Sequence, residues 1–157
     1  ADKKVENSQG RSFKDKTPVL GMVERGGKVV AKIIANTQSQ SLTPEIVKTV
    51  KQLAMVYTDE WMGYKSLQMI YDHAFIKHNE GEYVNGRIHT NTIEGFWSLL
   101  KRGIIGIYHF TSKKHLQKYV DEFVFRYNTR KNSDCSRFNL LLANSNYRLT
   151  YNALIQK

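Results

Sequence analysis

Cysteine is nearly absent from this sequence, which has Cys135 alone among its 157 residues. A single cysteine excludes an internal disulfide and any zinc site with several thiolate ligands, so the composition favours a reducing compartment. The sequence also lacks a long apolar run, a signal peptide and a lipidation motif. We therefore expect a cytoplasmic protein that has no membrane partner.

Acidic residues are scarce as well, because 14 Asp and Glu are outnumbered by 24 Lys and Arg and leave a formal charge of +10. The basic residues concentrate in residues 3–16, 101–118 and 126–137. Such an excess favours a polyanionic partner, of which nucleic acid is the commonest. An anionic membrane is the rival partner, but the basic clusters do not lie on a strongly apolar helix face.

The length of the chain suits one domain with a sizeable core. Residues 1–17 are polar and lack an apolar period, which predicts a flexible basic segment that either touches DNA phosphates or is an ordinary frayed terminus. Residues 18–131 would form the core, and residues 132–157 a C-terminal helical extension packed on it. The first residue is not methionine, so we expect a fragment or a processed chain.

The first half of the core predicts strands and a helix. Two β-branched runs, residues 19–25 and 28–35, flank two glycines, which is typical of an antiparallel hairpin with a tight turn. Thr43 and Pro44 then predict the N-cap and the first position of a helix. The side chains expected on its buried stripe are Ile46, Val47, Val50, Leu53 and Ala54.

A short apolar strand over residues 55–58 ends at Asp59, and a short helix over residues 63–70 and a strand over residues 74–78 follow it. Strand ends in α/β folds are where site residues tend to lie. Asp59 is therefore a candidate site residue, and a second carboxylate from another element could share a metal ion with it.

Residues 89–102 carry two patterns on one predicted helix. One stripe at helical spacing is apolar and would dock on a core: Ile93, Phe96, Trp97, Leu100 and Ile104. A second line on the same helix is polar: Asn91, Glu94, Ser98 and Lys101. This polar edge is either a solvated flank or part of a site. Gly103 and Gly106 are expected to break the helix, and another helix is predicted over residues 112–130.

Three long motifs stand in the core: Tyr57-Thr58-Asp59-Glu60-Trp61-x-Gly63-Tyr64, His89-Thr90-Asn91-Thr92-Ile93-Glu94-Gly95-Phe96-Trp97-Ser98-Leu99-Leu100-Lys101-Arg102, and Tyr119-Val120-Asp121-Glu122-Phe123-x-Phe125-Arg126-Tyr127-Asn128. They resemble motifs of bacterial insertion-sequence transposases of the DDE type, in the ISXO-like group. The resemblance implies an α/β, ribonuclease-H-like fold with a mixed sheet flanked by helices. It also implies metal-dependent DNA strand cleavage and strand transfer, the integrase-like chemistry by which an insertion sequence moves.

The resemblance assigns roles to individual residues. Asp59 matches the second acidic position and Glu94 the third, so both would be catalytic metal ligands for Mg²⁺ or Mn²⁺ in a two-metal site. Asn91 competes with Glu94 for the third position. Lys101 matches a lysine that contacts DNA near the scissile phosphate. The full set of expected DNA-binding residues is His89, Lys101, Arg102, Lys113, Lys114, Arg126 and Arg130; the last two alternatively complement a helix C-terminus.

The chain departs from the family pattern at its start. In the family the first catalytic aspartate lies on a strand before the hairpin, whereas Asp2 and Asp15 lie in polar stretches. We therefore expect that the first strand is missing, that metal binding is weak or absent, and that the chain alone is inactive. Loss of a central strand would expose backbone groups, so we expect a dimer, a swapped strand or a rearranged sheet. The active enzyme is expected to be a homo-oligomer that acts on insertion-sequence ends and target DNA in the nucleoid.

Three other functions compete with this interpretation. A nuclease or resolvase of the same fold would share the metal site and lack strand transfer. A decayed relative would bind DNA without catalysis. A zinc site from His73, His78, His89 and Cys135 is disfavoured, because side chains five residues apart on a strand face opposite ways.

Overall fold

The computed structural model describes residues 16–76, 89–146 and 148–155. Within these ranges the chain is α/β, as the sequence predicts. The elements in chain order are β1 (Val19–Val23), β2 (Val29–Ile33), α1 (Ser39–Thr49), β3 (Met55–Asp59), a 3-10 helix (Met62–Met69), β4 (Asp72–Ile76), α2 (Asn91–Gly103), a π-helical turn (Ile104–Tyr108), α3 (Leu116–Asn128), α4 (Asp134–Ala143) and α5 (Tyr151–Ile155). The predictions for residues 1–15 and for His78 lie outside the described residues.

The predicted hairpin is confirmed. β1 and β2 pair antiparallel, with Val19 opposite Ile33 and Val23 opposite Val29. Gly26 has a φ of 72° in the connecting turn, a conformation that glycine adopts without the steric penalty of a side chain. β-branched side chains on both strands suit this pleated, half-buried surface.

A second sheet consists of β3 and β4, which run parallel with Met55 opposite Asp72 and Asp59 opposite Ile76. The 3-10 helix makes the crossover that two parallel strands require. In the described part of the chain the two strand pairs are separate sheets, since no described strand bridges them. The structure therefore shows small sheets with several helices, and the ribonuclease-H-like order of the strands stays a prediction.

The hairpin has helices on both faces. One face contributes Leu20, near Ile34, to a first core with residues of α1 and of the 3-10 helix region: Leu42, Ile46, Leu67 and Tyr71. The opposite face contributes Val29 and Ala31 to a second core with residues of α2 and α3: Phe96, Leu100, Val120 and Phe123. Burying each large apolar side chain contributes about 1.5 to 3 kcal/mol. The apolar stripe predicted for α2 is confirmed, since it packs in this second core.

Helix α1 begins a turn earlier than the sequence predicts, so Thr43 is not its N-cap and Pro44 lies inside it. The Thr43 hydroxyl instead lies 2.8 Å from the hydroxyl of Ser66, which ties α1 to the 3-10 helix. The predicted stripe is wrong in part, because Leu53 is 98% exposed and lies in the following turn with a φ of 68°.

The end of α2 also differs from the prediction. Gly103 does not break the helix; it is a buried residue of the last turn, packed against the ring of Phe123, and the chain continues into the π-helical turn. Helix α3 begins at Leu116, four residues after the predicted start at Ser112.

The predicted C-terminal extension is helical, with α4 and α5 in it, and α4 begins with a cap in which the Ser133 hydroxyl accepts the N–H of Ser136. Arg137 reaches back to the carbonyl of Thr129. The apolar side chains of α4 are exposed rather than packed on the core, including Phe138 and Leu141. None of the helices that the structure describes combines the length and the hydrophobicity needed to cross a bilayer.

Candidate active site

Asp59 occupies the last position of β3, on a turn that the protein holds firmly. Its Oδ1 accepts the backbone N–H of Trp61 at 3.2 Å, and the indole of Trp61 donates to the carbonyl of Thr37 at 2.8 Å. A Cβ on Gly63 would lie 2.5 Å from that same carbonyl. Trp61 and Gly63 therefore have a structural role, since together they hold the turn that carries Asp59.

Tyr64 lies within the electrostatic reach of Asp59. Burial, and secondarily the negative charge of Asp59, raise the pKa of Tyr64 to about 12. The phenol therefore stays protonated across the physiological pH range and retains its O–H as a donor.

Thr58 and His73 fix the backbone at the same strand end. The Thr58 hydroxyl donates to the carbonyl of Asp59 at 2.8 Å and lies 2.9 Å from Nε2 of His73. Because the single hydroxyl proton goes to the carbonyl, Nε2 of His73 is the donor in the second bond. Burial lowers the pKa of His73, which favours this neutral form.

Asn91 and Glu94 lie in the first turn of α2, and both are exposed. The Thr90 hydroxyl donates to Oε1 of Glu94 at 2.7 Å, and the backbone N–H of Glu94 donates to the carbonyl of Thr90. A carboxylate is favoured here because the N-terminal end of a helix dipole is positive. The three-residue spacing places Asn91 and Glu94 on neighbouring parts of one face.

The described residues contain no group of three or more His, Cys, Asp or Glu side chains placed to hold one metal ion. Asp59 and Glu94 come from separate elements, and their joint metal site stays a prediction. The zinc alternative has no cluster in these ranges either, and its Cys135 is an exposed residue of α4.

Four predicted DNA-binding residues present their charges to solvent. Lys101 and Arg102 are exposed in the last turn of α2, and Lys113 and Lys114 are exposed just before α3. His89 precedes α2, and its Nδ1 is buried with no hydrogen-bond partner in the described ranges.

Arg126 and Arg130 have protein partners as well as exposure. Arg126 donates through Nε and Nη2 to Glu122 at 2.9 and 2.6 Å. Arg130 lies over the ring of Tyr127 at 4.1 Å and donates to the carbonyl of Gly27 at 3.1 Å. The Arg126 contact lies within α3, and Arg130, just after α3, contacts the hairpin. Both arginines therefore have partners within the protein as well as exposed charge that could meet a phosphate.

Two amides of α3 have a structural role that the sequence pattern did not reveal. Asn128 accepts the N–H of Val29 at 2.7 Å and donates to its carbonyl at 2.9 Å. Gln117 accepts the N–H of Ile33 at 2.8 Å and donates to the carbonyl of Ala31 at 3.2 Å. The two side chains thus replace a neighbouring strand along β2, and the only signal in the sequence was polar residues beside an apolar stripe.

A family model and two similar proteins all relate this chain to transposable elements. Residues 1–128 match the family model described as the ISXO2-like transposase domain. The chain is 31% identical over 121 residues to an uncharacterized protein in the transposable element ISH50 of Halobacterium salinarum, covering 75% of this chain and 41% of that protein. It is 30% identical over 102 residues to an uncharacterized transposase-like protein of Haemophilus influenzae, covering 64% of this chain and 81% of that protein. No solved structure matches.

Proposed function

Because this chain belongs to the ISXO2-like transposase domain family, we propose that it is the catalytic core of an enzyme that cleaves DNA at insertion-sequence ends and transfers the strands to target DNA. The observation that carries the proposal is the seating of Asp59, a carboxylate fixed at a strand end by the turn that Trp61 ties to Thr37. The chain spans 41% of the length of the ISH50 protein. That a whole transposase containing this chain cleaves and joins DNA is therefore proposed together with the role of the core.

The donor set suits a hard divalent cation. Asp59 and Glu94 offer carboxylate oxygens, and Asn91 offers an amide oxygen, which are the ligands that Mg²⁺ and Mn²⁺ prefer. We assign Asp59 and Glu94 as the ligands, with Asn91 as the alternative to Glu94. When bound, the metal supplies activation of the attacking oxygen and stabilisation of the leaving oxygen. The remaining ligands come from water, from substrate or from another part of the protein.

Other residues of the chain hold the reacting groups. We assign the exposed ammonium of Lys101, two turns after Glu94 on α2, to a DNA phosphate, and Arg102 to the same basic end. Thr90 orients the Glu94 carboxylate by its 2.7 Å hydrogen bond. Such bonds keep a ligand in one rotamer before substrate arrives.

The pairing of the strands supports a ribonuclease-H-like arrangement. The outer edge of β2 is closed by Gln117 and Asn128, and β1 pairs only with β2 in the described ranges. In the proposed fold, a further strand that carries a third carboxylate lies between β1 and β3.

The test is cleavage and joining of a labelled insertion-sequence end in Mg²⁺ or Mn²⁺, with this chain and with a version extended upstream through an aspartate-bearing strand. We expect activity in the extended version alone. Asp59→Asn and Glu94→Gln should each lower its rate about a thousandfold, since a metal ligand supplies several kcal/mol of transition-state stabilisation.

The matched control is Asp134→Asn, because Asp134 is a 99% exposed carboxylate of α4, and its rate should equal that of the wild type. Loss of activity in Asn91→Ala but not in Glu94→Gln would move the third ligand to Asn91. Cleavage without joining would indicate a nuclease. Full activity in Asp59→Asn would contradict the proposal.

A further inference from the structure

The segment between α2 and α3 presents apolar side chains to solvent. Ile105, Ile107 and Phe110 are 71%, 62% and 70% exposed. Their neighbours Ile104 and Tyr108 face the other way, into the second core. The ring of Tyr108 packs edge-on against Tyr119 with 4.7 Å between centroids, and its hydroxyl donates to Glu122. The segment that carries the three exposed side chains is therefore held against α3 by Tyr108.

The backbone of this segment is also unusual. Residues Ile104–Tyr108 form a π-helical turn, a form that is rare and frequently found at functional sites. His109 follows with φ 58° and ψ −40°, and the N–H of Phe110 donates to the carbonyl of Tyr108 at 2.6 Å. This is a γ-turn with positive φ, which is strained for a residue with a side chain. The turn ends the helical run immediately before Phe110.

In the sequence, the charged residues that flank the segment are all cationic, and the carboxylate of Glu122 that Tyr108 contacts is paired with Arg126. Residues 95–120 contain five Lys and Arg and no Asp or Glu. All five cations are exposed, and none has an ion-pair partner within the ranges described: Lys101, Arg102, Lys113, Lys114 and Lys118. A polyanion is the partner that such a surface attracts.

Exposed apolar groups bordered by cations fit DNA whose bases are unpaired. Phosphates neutralise the lysines and arginine, while a base stacks on the aromatic ring or the aliphatic side chains. A fully paired duplex would offer its phosphates but would leave Phe110 without a partner. An anionic membrane has the same charge, but three apolar side chains on a short turn are far less than the extended apolar face of an interfacial helix.

We propose that residues 104–110 form a stacking wedge for unpaired bases at a DNA end, with Phe110 as the main stacking group and Lys113 and Lys114 on the adjoining phosphates. The inference rests on the proposed function, because strand cleavage and joining produce such ends. It adds to that function the form of DNA that residues 104–110 recognise. It does not depend on the metal ligands.

The test compares two probes in EDTA by fluorescence anisotropy: a blunt duplex, and the same duplex ending in three unpaired nucleotides with 2-aminopurine among them. We expect about five- to tenfold tighter binding of the unpaired end, with quenching of the 2-aminopurine on stacking. Phe110→Ala should abolish both the preference and the quenching, and Phe110→Trp should keep them. Lys113→Ala should weaken both probes by the same factor, since phosphate contacts do not distinguish them.

The matched control is Phe138→Ala, which removes a 59% exposed phenylalanine from α4 and should keep the preference. Equal binding of both probes by the wild type, or an unchanged preference in Phe110→Ala, would overturn the wedge. Vesicles of phosphatidylserine and phosphatidylcholine give a second readout: vesicle binding that requires Phe110, together with a DNA preference that does not, would also overturn it. Because the assay reads no cleavage, its result holds whether or not Asp59 and Glu94 catalyse.

Discussion

At Gly103 a hydrogen atom occupies the space where any other residue would place a carbon against the ring of Phe123. Both residues are buried in the second core, between α2 and α3. Gly103→Ala should therefore destabilise the protein by about 1 to 3 kcal/mol, because the ring must shift in a filled core. Urea unfolding followed by circular dichroism measures this change.

The same helix provides the control, since a Cβ on Gly95 would meet no atom within 4 Å. Gly95→Ala should stabilise the protein by up to about 1 kcal/mol, because alanine has the higher helix propensity. Equal free energies of unfolding for the two variants would contradict the close packing at Gly103.

The sequence predicts the secondary structure around a residue better than it predicts which distant residues contact it. The strand that ends at Asp59 was predicted from its apolar residues, and the structure has β3 end at Asp59. The turn that seats it depends on a hydrogen bond from Trp61 to Thr37, which are 24 residues apart. Gly103 was expected to end a helix, because propensity describes the isolated chain and contains nothing about a ring on another helix.

Among the elements, α3 and β2 are joined by side-chain amides. Asn128 satisfies both backbone groups of Val29, so Asn128→Ala would leave a buried N–H and C=O without partners. We expect a loss of about 1 to 3 kcal/mol in the free energy of unfolding. We also expect faster hydrogen exchange at the Val29 amide, measured by mass spectrometry or NMR.

Asn139→Ala is the control for this prediction, because Asn139 is an exposed amide of α4. Its free energy of unfolding and the exchange at Val29 should match the wild type. Unchanged protection of Val29 in Asn128→Ala would show that the amide does not replace a strand.

The helices and strands could be predicted from the sequence where no tertiary contact competes with the local pattern. The hairpin follows from two β-branched runs and a glycine turn, and it is confirmed in register. The start of α1 was wrong because Thr43 and Pro44 are a strong local signal for a helix N-terminus. The hydroxyls of Ser39, Thr43 and Ser66 are hydrogen bonded to one another instead, a tertiary arrangement that no local rule contains.

At the scale of the whole molecule, helices cover both faces of one hairpin, and a parallel strand pair carries Asp59 beside it. The family was predicted from three motifs, because motif residues are contiguous in sequence, and the comparisons confirm it at the level of a transposase domain. The relation between Asp59 and Glu94 could not be predicted in the same way. It depends on how β3 and α2 pack, and residues 77–88, which connect β4 to α2, lie outside the described ranges.

The central claim is that Asp59 is a metal ligand of a strand-transfer enzyme, and Asp59→Cys tests it most directly. The measurement is the joining rate of a labelled insertion-sequence end by the upstream-extended chain in Mg²⁺ and in Mn²⁺, with Asp134→Cys as the control. A thiolate is a poor ligand for Mg²⁺ and a better one for the softer Mn²⁺. We expect Asp59→Cys to be inactive in Mg²⁺ and partly active in Mn²⁺, while Asp134→Cys behaves as the wild type in both. Joining by Asp59→Cys at the wild-type rate in Mg²⁺, or no gain in Mn²⁺, would contradict the claim.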